Sequence, residues 1–221
     1  MKILGSFSTD PISIGEGETF ELIIENQKLF RELVENIKTQ IAGEKGSIVL
    51  SSNDIPVPIR NNIELIETVS LFDVNTKSLL NKVYTSLETA ALDEDHYIKS
   101  LELMTNIERY LNELGDVLGF DLDYNKLSID SIIKAVSPRL SMCYNSPLEA
   151  IIDYMNLICS LDKIKLFIFV NIRSYFDDDE ITRFVQTISA KGMMALIVES
   201  VERNKIDGTK KIVVDSDLCE I

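Results

Sequence analysis

The stretch Ile164-Lys165-Leu166-Phe167-Ile168-Phe169-Val170-Asn171 restricts the fold more than any other part of the chain. Apolar, β-branched and aromatic residues follow one another without alternation, and turn-like and acidic residues come next. Such a run reads as a buried strand of a parallel or mixed sheet, covered on both faces. A second run, Met194-Ala195-Leu196-Ile197-Val198-Glu199, lies one helical segment further on. Strand, helix and strand make a βαβ unit, whose crossover is almost always right-handed. The expected class is therefore α/β.

The remaining pattern adds to this unit from both sides. Residues 2–7 and 19–24 read as strands around a Gly15-Glu16-Gly17 turn. Asn26 is placed to cap a helix from Gln27 to about Ala42, with Phe30, Leu33, Val34, Ile37 and Ile41 on its apolar face and Gly43 at its end. Residues 47–50, 57–59 and 63–69 are further strand candidates. Pro56 and Pro58 put the middle one at an edge or in a loop.

From about residue 76 to 160 the periodicity is helical. Leu79, Leu80, Val83 and Leu87 mark one helix over 76–91. Asp93 is placed to cap a longer one reaching about Leu118, with a stripe of Leu101, Met104, Ile107, Leu111, Leu114 and Leu118. That is a near-heptad seam for a neighbour, in the same chain or in another subunit. Gly115 and Gly119 are expected to fray its end. Ser128 starts a short helix that stops before Pro138, and Ser146-Pro147 starts another through about Leu161. A helix over 178–191 and strands over 194–199 and 211–214 complete the chain. The expected organisation is an α/β domain made of residues 1–70 and 162–221, with an inserted helical domain over 71–161.

Charge narrows the function. The chain has 22 Lys and Arg against 36 Asp and Glu, a formal charge of −14. Taken alone this opposes strong phosphate binding, which draws its affinity from basic groups that displace counterions. A local basic strip or a bound divalent cation can reverse the sign at a surface. Cys143, Cys159 and Cys219 are odd in number and form no Cys-x-x-Cys, which fits reduced thiols and no zinc site. The start of the chain carries too short an apolar stretch for a signal peptide, and no run approaches a membrane span. The expectation is a cytoplasmic protein without membrane contact.

The search for catalytic chemistry is negative. Gly43-Glu44-Lys45-Gly46-Ser47 is the nearest thing to a phosphate loop, but it precedes a strand and its lysine lies before the second glycine. No Gly-x-Gly-x-x-Gly and no Gly-x-Ser-x-Gly occurs. His96, the one histidine, sits in an acidic helix start, and Cys159 is expected on the buried side of a helix. No constellation supports an enzyme.

Two acidic clusters stand out. Asp121-Leu122-Asp123-Tyr124-Asn125 alternates oxygen-bearing and apolar side chains, so an extended segment puts Asp121, Asp123 and Asn125 on one side. Hard cations want several such oxygens, and Glu113 and Asp116 just upstream could add another. The spacing is not that of an EF-hand, since Lys126 and Ile132 occupy the glycine and glutamate positions. A solvated edge is the plainer alternative. Asp177-Asp178-Asp179-Glu180 reads more simply as a helix cap with favourable charges at a helix N-terminus.

Candidate phosphate contacts are scattered: Lys77, Lys82, Lys99, Arg109, Lys126, Lys134 and Arg139 in the helical region, and Arg173, Lys205, Lys210 and Lys211 near the last strands. Each taken singly is an ordinary surface charge. Only oligomerisation would gather them into a binding surface.

Five segments occur in an order that resembles a known family: Leu71-Phe72-Asp73-Val74-Asn75, Asp121-Leu122-Asp123-Tyr124, Lys165-Leu166-Phe167-Ile168-Phe169-Val170-Asn171, Asp179-Glu180, and the ending Asp215-Ser216-Asp217-Leu218-Cys219-Glu220-Ile221. The chain resembles the small accessory CRISPR-associated proteins of type II-A systems, the "Csn-two" family. This resemblance implies a P-loop-ATPase-like sheet domain without working phosphate-loop motifs, plus a helical domain. It also implies a homotetrameric ring with bound calcium (Ca2+) that binds double-stranded DNA at free ends and along a lysine-lined channel. Members act in spacer acquisition with the CRISPR integrase proteins and the RNA-guided effector nuclease, and are not known as enzymes.

The family's acidic segment falls on Asp121 and Asp123, which makes calcium the expected ion. Asn125 departs from the pattern, which has an acid there. The channel lysines do not transfer by motif, so Lys77, Lys82, Lys126, Lys134 and Arg139 are chosen by their place in the helical region. Other functions remain open at this point: a metal-dependent nuclease using Asp121 and Asp123, a degenerate NTPase, or a scaffold that recruits other proteins.

Overall fold

The computed structural model describes residues 1–69, 72–123, 125–141, 144, 146–161 and 166–221. The chain divides into two compact units, one made of Met1–Phe72 and Tyr144–Ile221, the other of Asp73–Cys143.

Among the described residues the first unit holds nine strands in two sheets. Four short strands, β1 (Lys2–Leu4), β2 (Ile12–Ser13), β4 (Val49–Ser52) and β5 (Ile55–Val57), pair antiparallel in the order β2-β1-β4-β5. Pro56 lies in β5, at the edge of this sheet, where its missing N–H costs no ladder bond. The other five strands are β3 (Thr19–Ile24), β6 (Ile63–Ile66), β7 (Leu166–Val170), β8 (Ala195–Glu199) and β9 (Thr209–Val214). They form a fully parallel sheet in the order β6-β7-β8-β3-β9. The middle strand is therefore β8, with β7 beside it, although every residue of both is buried. Ile164 and Lys165, the start of the constraining run, lie outside the described residues.

Each face of the parallel sheet is covered, as the apolar runs of β7 and β8 require. On one side α1 (Gln27–Ile41) buries Leu29, Leu33 and Ile37 in a single core with Leu22, Ile24, Ile168, Leu196 and Val198, and with Ile3 and Leu50 of the antiparallel sheet. The buried row follows the i, i+4, i+8 line of a helix. Asn26 caps α1 as expected, its side chain accepting from the Leu29 amide. On the other side α6 (Asp178–Ala190) sets Phe184 edge-on against Phe169, with ring centres 5.2 Å apart. Asp177 and Glu180 form a complete capping box at the start of α6.

The helix α5 (Pro147–Leu161) also belongs to this unit rather than to the insertion, where the periodicity had placed it. It buries Leu148, Ala150, Ile151, Tyr154, Met155 and Ile158 and packs against α6. Tyr154 donates to Glu64 of β6 and meets Phe72 edge-on. A helical period does not say which unit a helix serves; the width of its apolar face does. Cys159 of α5 is exposed, against expectation.

The second unit contains α2 (Lys77–Ala91), α3 (Tyr97–Leu118) and α4 (Ile129–Val136). Thr76 and Ser128 cap α2 and α4 with their side chains, and α2 packs on α4. Asp93 caps the turn before α3, accepting from the amides of Asp95 and His96 and from the His96 ring. That contact, with the imidazole first among its causes, holds the Asp93 carboxyl below its usual range.

Candidate metal centre and nucleic-acid interface

The acidic segment is positioned by the end of α3. Gly119 adopts φ 78°, a left-handed cap, and its amide returns to Asp116. The Phe120 amide donates to the Gly115 carbonyl. Gly115 is buried because the chain folds back directly over it: a Cβ there would stand 2.8 Å from the Phe120 carbonyl oxygen and 3.2 Å from Leu122. The two glycines thus end the helix with a defined reversal instead of fraying it.

Between that reversal and α4 the described residues have no regular structure. Asp121, Asp123 and Asn125 are exposed, as are Glu113 and Asp116 on the last turns of α3. Tyr124 lies outside the described residues. Among the described residues no three His, Cys, Asp or Glu side chains come together to hold a metal ion. Among the described residues, one chain therefore places the proposed ligands near the end of α3 without forming a cation cage.

The proposed DNA contacts lie on the same unit. Lys77 opens α2 and is exposed, Lys82 is half-buried further along it, and Lys126 is exposed before α4. Lys134 of α4 is held by Asp130 one turn earlier at 2.7 Å, a contact that raises its pKa. Arg139 stands 3.8 Å from Asp73. These two cations already have acidic partners, but exposed pairs of this kind are weak and a phosphate can displace them.

Near the last strands Lys205 is exposed, and the other three cations have acidic partners. Lys210 pairs with Glu18 at 2.9 Å and Lys211 with Glu202 at 2.5 Å. Arg173 is removed from any surface role: its side chain is 1% exposed and lies 2.8 Å from Glu21, which is fully buried. The sequence held one signal for this, a lone Glu between apolar residues in Thr19-Phe20-Glu21-Leu22-Ile23-Ile24. A charge in a strand buried on both faces needs a partner.

The Gly43–Ser47 stretch is structural. The Asn36 side chain accepts from the Ser47 amide and donates to its hydroxyl, and the Gln40 side chain bonds both backbone groups of Ile48. Gly46 lies so close that a Cβ would collide with Asn36 Oδ1 and the Gln40 side chain. The Gly43, Glu44 and Ser47 amides are thus committed to acceptors within the chain. A cavity of 710 Å³ in this unit, lined by Met1, Asn156, Cys159, Phe167, Met193 and Met194 among others, opens at the amino ends of β7 and β8. Open α/β sheets bind ligands at the opposite, carboxyl end.

The exposed face of α3 is the other feature of the helical unit. Only Ser100 and Gly115 of its 22 residues are buried. Of the expected seam, Leu101, Leu111, Leu114 and Leu118 are exposed by 40%, 38%, 40% and 66%. Tyr110 and Val117 beside them reach 60% and 82%.

The class these observations define is a mixed α/β protein with a parallel sheet, a helical unit and no phosphate loop. The sequence model of the Cas_Csn2 family, a family of CRISPR-associated proteins, matches residues 40–218, and the chain belongs to that family. The CRISPR-associated protein Csn2 of Enterococcus faecalis is 25% identical over 206 residues, covering 90% of each chain. Among solved structures, a putative ABC transporter ATP-binding protein from Pyrococcus furiosus aligns over 91% of this chain and 88% of its own, at 15% identity and a TM-score of 0.39.

Proposed function

We propose that the protein is a non-enzymatic double-stranded-DNA-binding protein that closes into a homotetrameric ring and acts in CRISPR spacer acquisition. Its partners in this reading are DNA ends, further copies of itself, the integrase proteins and the RNA-guided effector nuclease. Family membership supports the pathway. The observation that carries the assembly is the uncovered apolar surface of α3, since an exposed helix with Tyr110, Leu111, Leu114 and Val117 open to water favours burial against another copy.

Assembly also resolves the charge. In a chain of net −14, a few cations such as Lys77, Lys126 and Lys134 become a phosphate-binding lining only when symmetry repeats them. Calcium in this reading is shared: Asp121 and Asp123 supply oxygens, and a second copy or water supplies the rest. The ion also neutralises carboxylates that would repel DNA.

A gel shift with linear and closed circular DNA, with calcium or with chelator, tests the reading. A ring that threads over ends retains linear DNA in calcium and ignores closed circles. Equal retention of both forms rules out threading, and no retention at any calcium level leaves a protein-recruiting scaffold. Cleavage of either DNA in magnesium or manganese would make it a nuclease.

A further inference from the structure

The chain connects β8 to β9 without a helix. Residues 200–208 leave the carboxyl end of β8 and must return to the amino end of β9, which lies on the far side of β3. Parallel strands are usually joined through a helix, whose backbone satisfies itself and whose apolar side seals the sheet. This segment has neither advantage. Apart from Ser200 and Ile206 its residues are exposed, so water can satisfy its backbone, and its position over the sheet is set by the side chains that bond to it.

The ties converge on Arg173 and its neighbour Asn171, in the turn after β7. Asn171 takes a left-handed φ of 52°, and its side-chain oxygen accepts from the Ser200 amide and hydroxyl, both at 3.1 Å. The Arg173 guanidinium donates to Glu21 in β3 at 2.8 Å, to Asp178 at the start of α6 at 2.9 Å, and to the Asn204 carbonyl at 2.8 Å. Its amide donates to Glu199 at the end of β8 at 2.9 Å. Glu21 in turn accepts from the Thr209 hydroxyl, which also reaches the Ile206 carbonyl. One buried cation therefore joins β3, α6 and the middle of the crossover. It does so beside the carboxyl end of the sheet, where α/β proteins of this kind hold a ligand.

We propose that Arg173 is an internal strap: it takes a ligand's place at the carboxyl end of the parallel sheet and holds the helix-less crossover 200–208 closed over β3. The strap is conditional on the guanidinium. Lysine cannot serve, because it lacks the planar fork that reaches Glu21, Asp178 and Asn204 together. The inference is independent of DNA binding and of the ring.

Hydrogen exchange on the full chain tests it, comparing wild type with Arg173→Lys and with the double variant Arg173→Met, Glu21→Gln. The double variant removes the buried cation and its anionic partner together, so neither is left as a bare charge. Loss of charge-assisted bonds should raise exchange at the Ser200 and Thr209 amides, which are bonded to Asn171 and to the Ile206 carbonyl at the two ends of the crossover, by about tenfold or more in both, while β3, β7 and β8 keep their protection. Unchanged exchange at Ser200 and Thr209, or loosening that spreads equally through the sheet strands, would overturn the strap. If Arg173→Lys fails to fold, the double variant alone decides between those outcomes.

Discussion

Arg173 and Glu21 lie 152 residues apart in the chain and meet at 2.8 Å with 1% and 0% of their side chains exposed. Breaking one side of such a pair leaves a bare charge in the core, which costs about 3–5 kcal/mol. Arg173→Met should lose that much in urea unfolding. Adding Glu21→Gln should recover part of the loss, because the stranded carboxylate is gone. Additive losses in the double-mutant cycle would show that the two residues do not act as a pair.

Gly115 gives a prediction of reversed sign. Alanine in a helix is ordinarily favoured over glycine by up to about 1 kcal/mol. Here its Cβ would stand 2.8 Å from the Phe120 carbonyl oxygen, so Gly115→Ala must push the 120–122 reversal away. We expect a destabilised protein, by about 1–3 kcal/mol as for other overpacked sites. A melting temperature equal to or above that of the wild type would show that the reversal is not packed as described.

Local order was legible from the residues, and long-range order was not. Asn26, Ser128 and Asp177 announced helix starts because a cap is decided within three residues. The apolar runs announced β7 and β8 because burial on both faces leaves no alternation. What escaped was set by partners far along the chain. Nothing near Arg173 distinguishes it from a surface cation until Glu21 and Asn204 are brought beside it. The two-residue β2 has no period to read. The exposure of Cys159 follows from how α5 is rotated against its neighbours, which its broad apolar face leaves open. The candidate ligands Asp121 and Asp123 were found by alternation, yet alternation places oxygens on a side without closing a cage.

DNA retention should be steeply salt-dependent, and the lysines should share the effect. Replacing one phosphate contact lowers affinity for all sequences alike and reduces the slope of log affinity against log salt by about 1. Lys134→Ala is the informative case. Asp130→Asn, which frees Lys134 from its 2.7 Å partner, should move affinity the other way. No change in either variant, measured by filter binding across a salt series, would remove α4 from the interface.

The exposed seam of α3 makes a separate prediction about assembly. Leu111→Glu with Leu114→Glu alters side chains that are 38% and 40% exposed, so the isolated chain should fold as before. In a ring closed through α3, two charges per subunit would be buried without partners. Sedimentation velocity should then show smaller species than wild type, at unchanged helix content. An undiminished tetramer would mean that α3 faces something other than another copy.

Glu199 sets a pH dependence whose sign is opposite to that of Asp178 and Glu18. Burial comes first among the causes that raise its pKa above 4.5, and it outweighs the Arg173 amide and the nearby Arg203 and Arg173 charges; the Glu21 carboxylate pushes the same way as burial. A raised acid holds its proton more tightly in the folded state than in the unfolded one. Its contribution is therefore lost as pH rises from about 4.5 through the folded value. Asp178 and Glu18 run the other way: Arg173 lowers the first, the Gly15 amide and then Lys210 lower the second, and both lose their contribution on acidification. Glu199→Gln keeps an oxygen for the Arg173 amide and removes the charge. It should be more stable than wild type at neutral pH, with the advantage vanishing below pH 4.5, where Glu199 is protonated in both states. Urea midpoints across that range measure it, and a variant less stable than wild type at neutral pH would show that the ionised carboxylate is favoured in the fold.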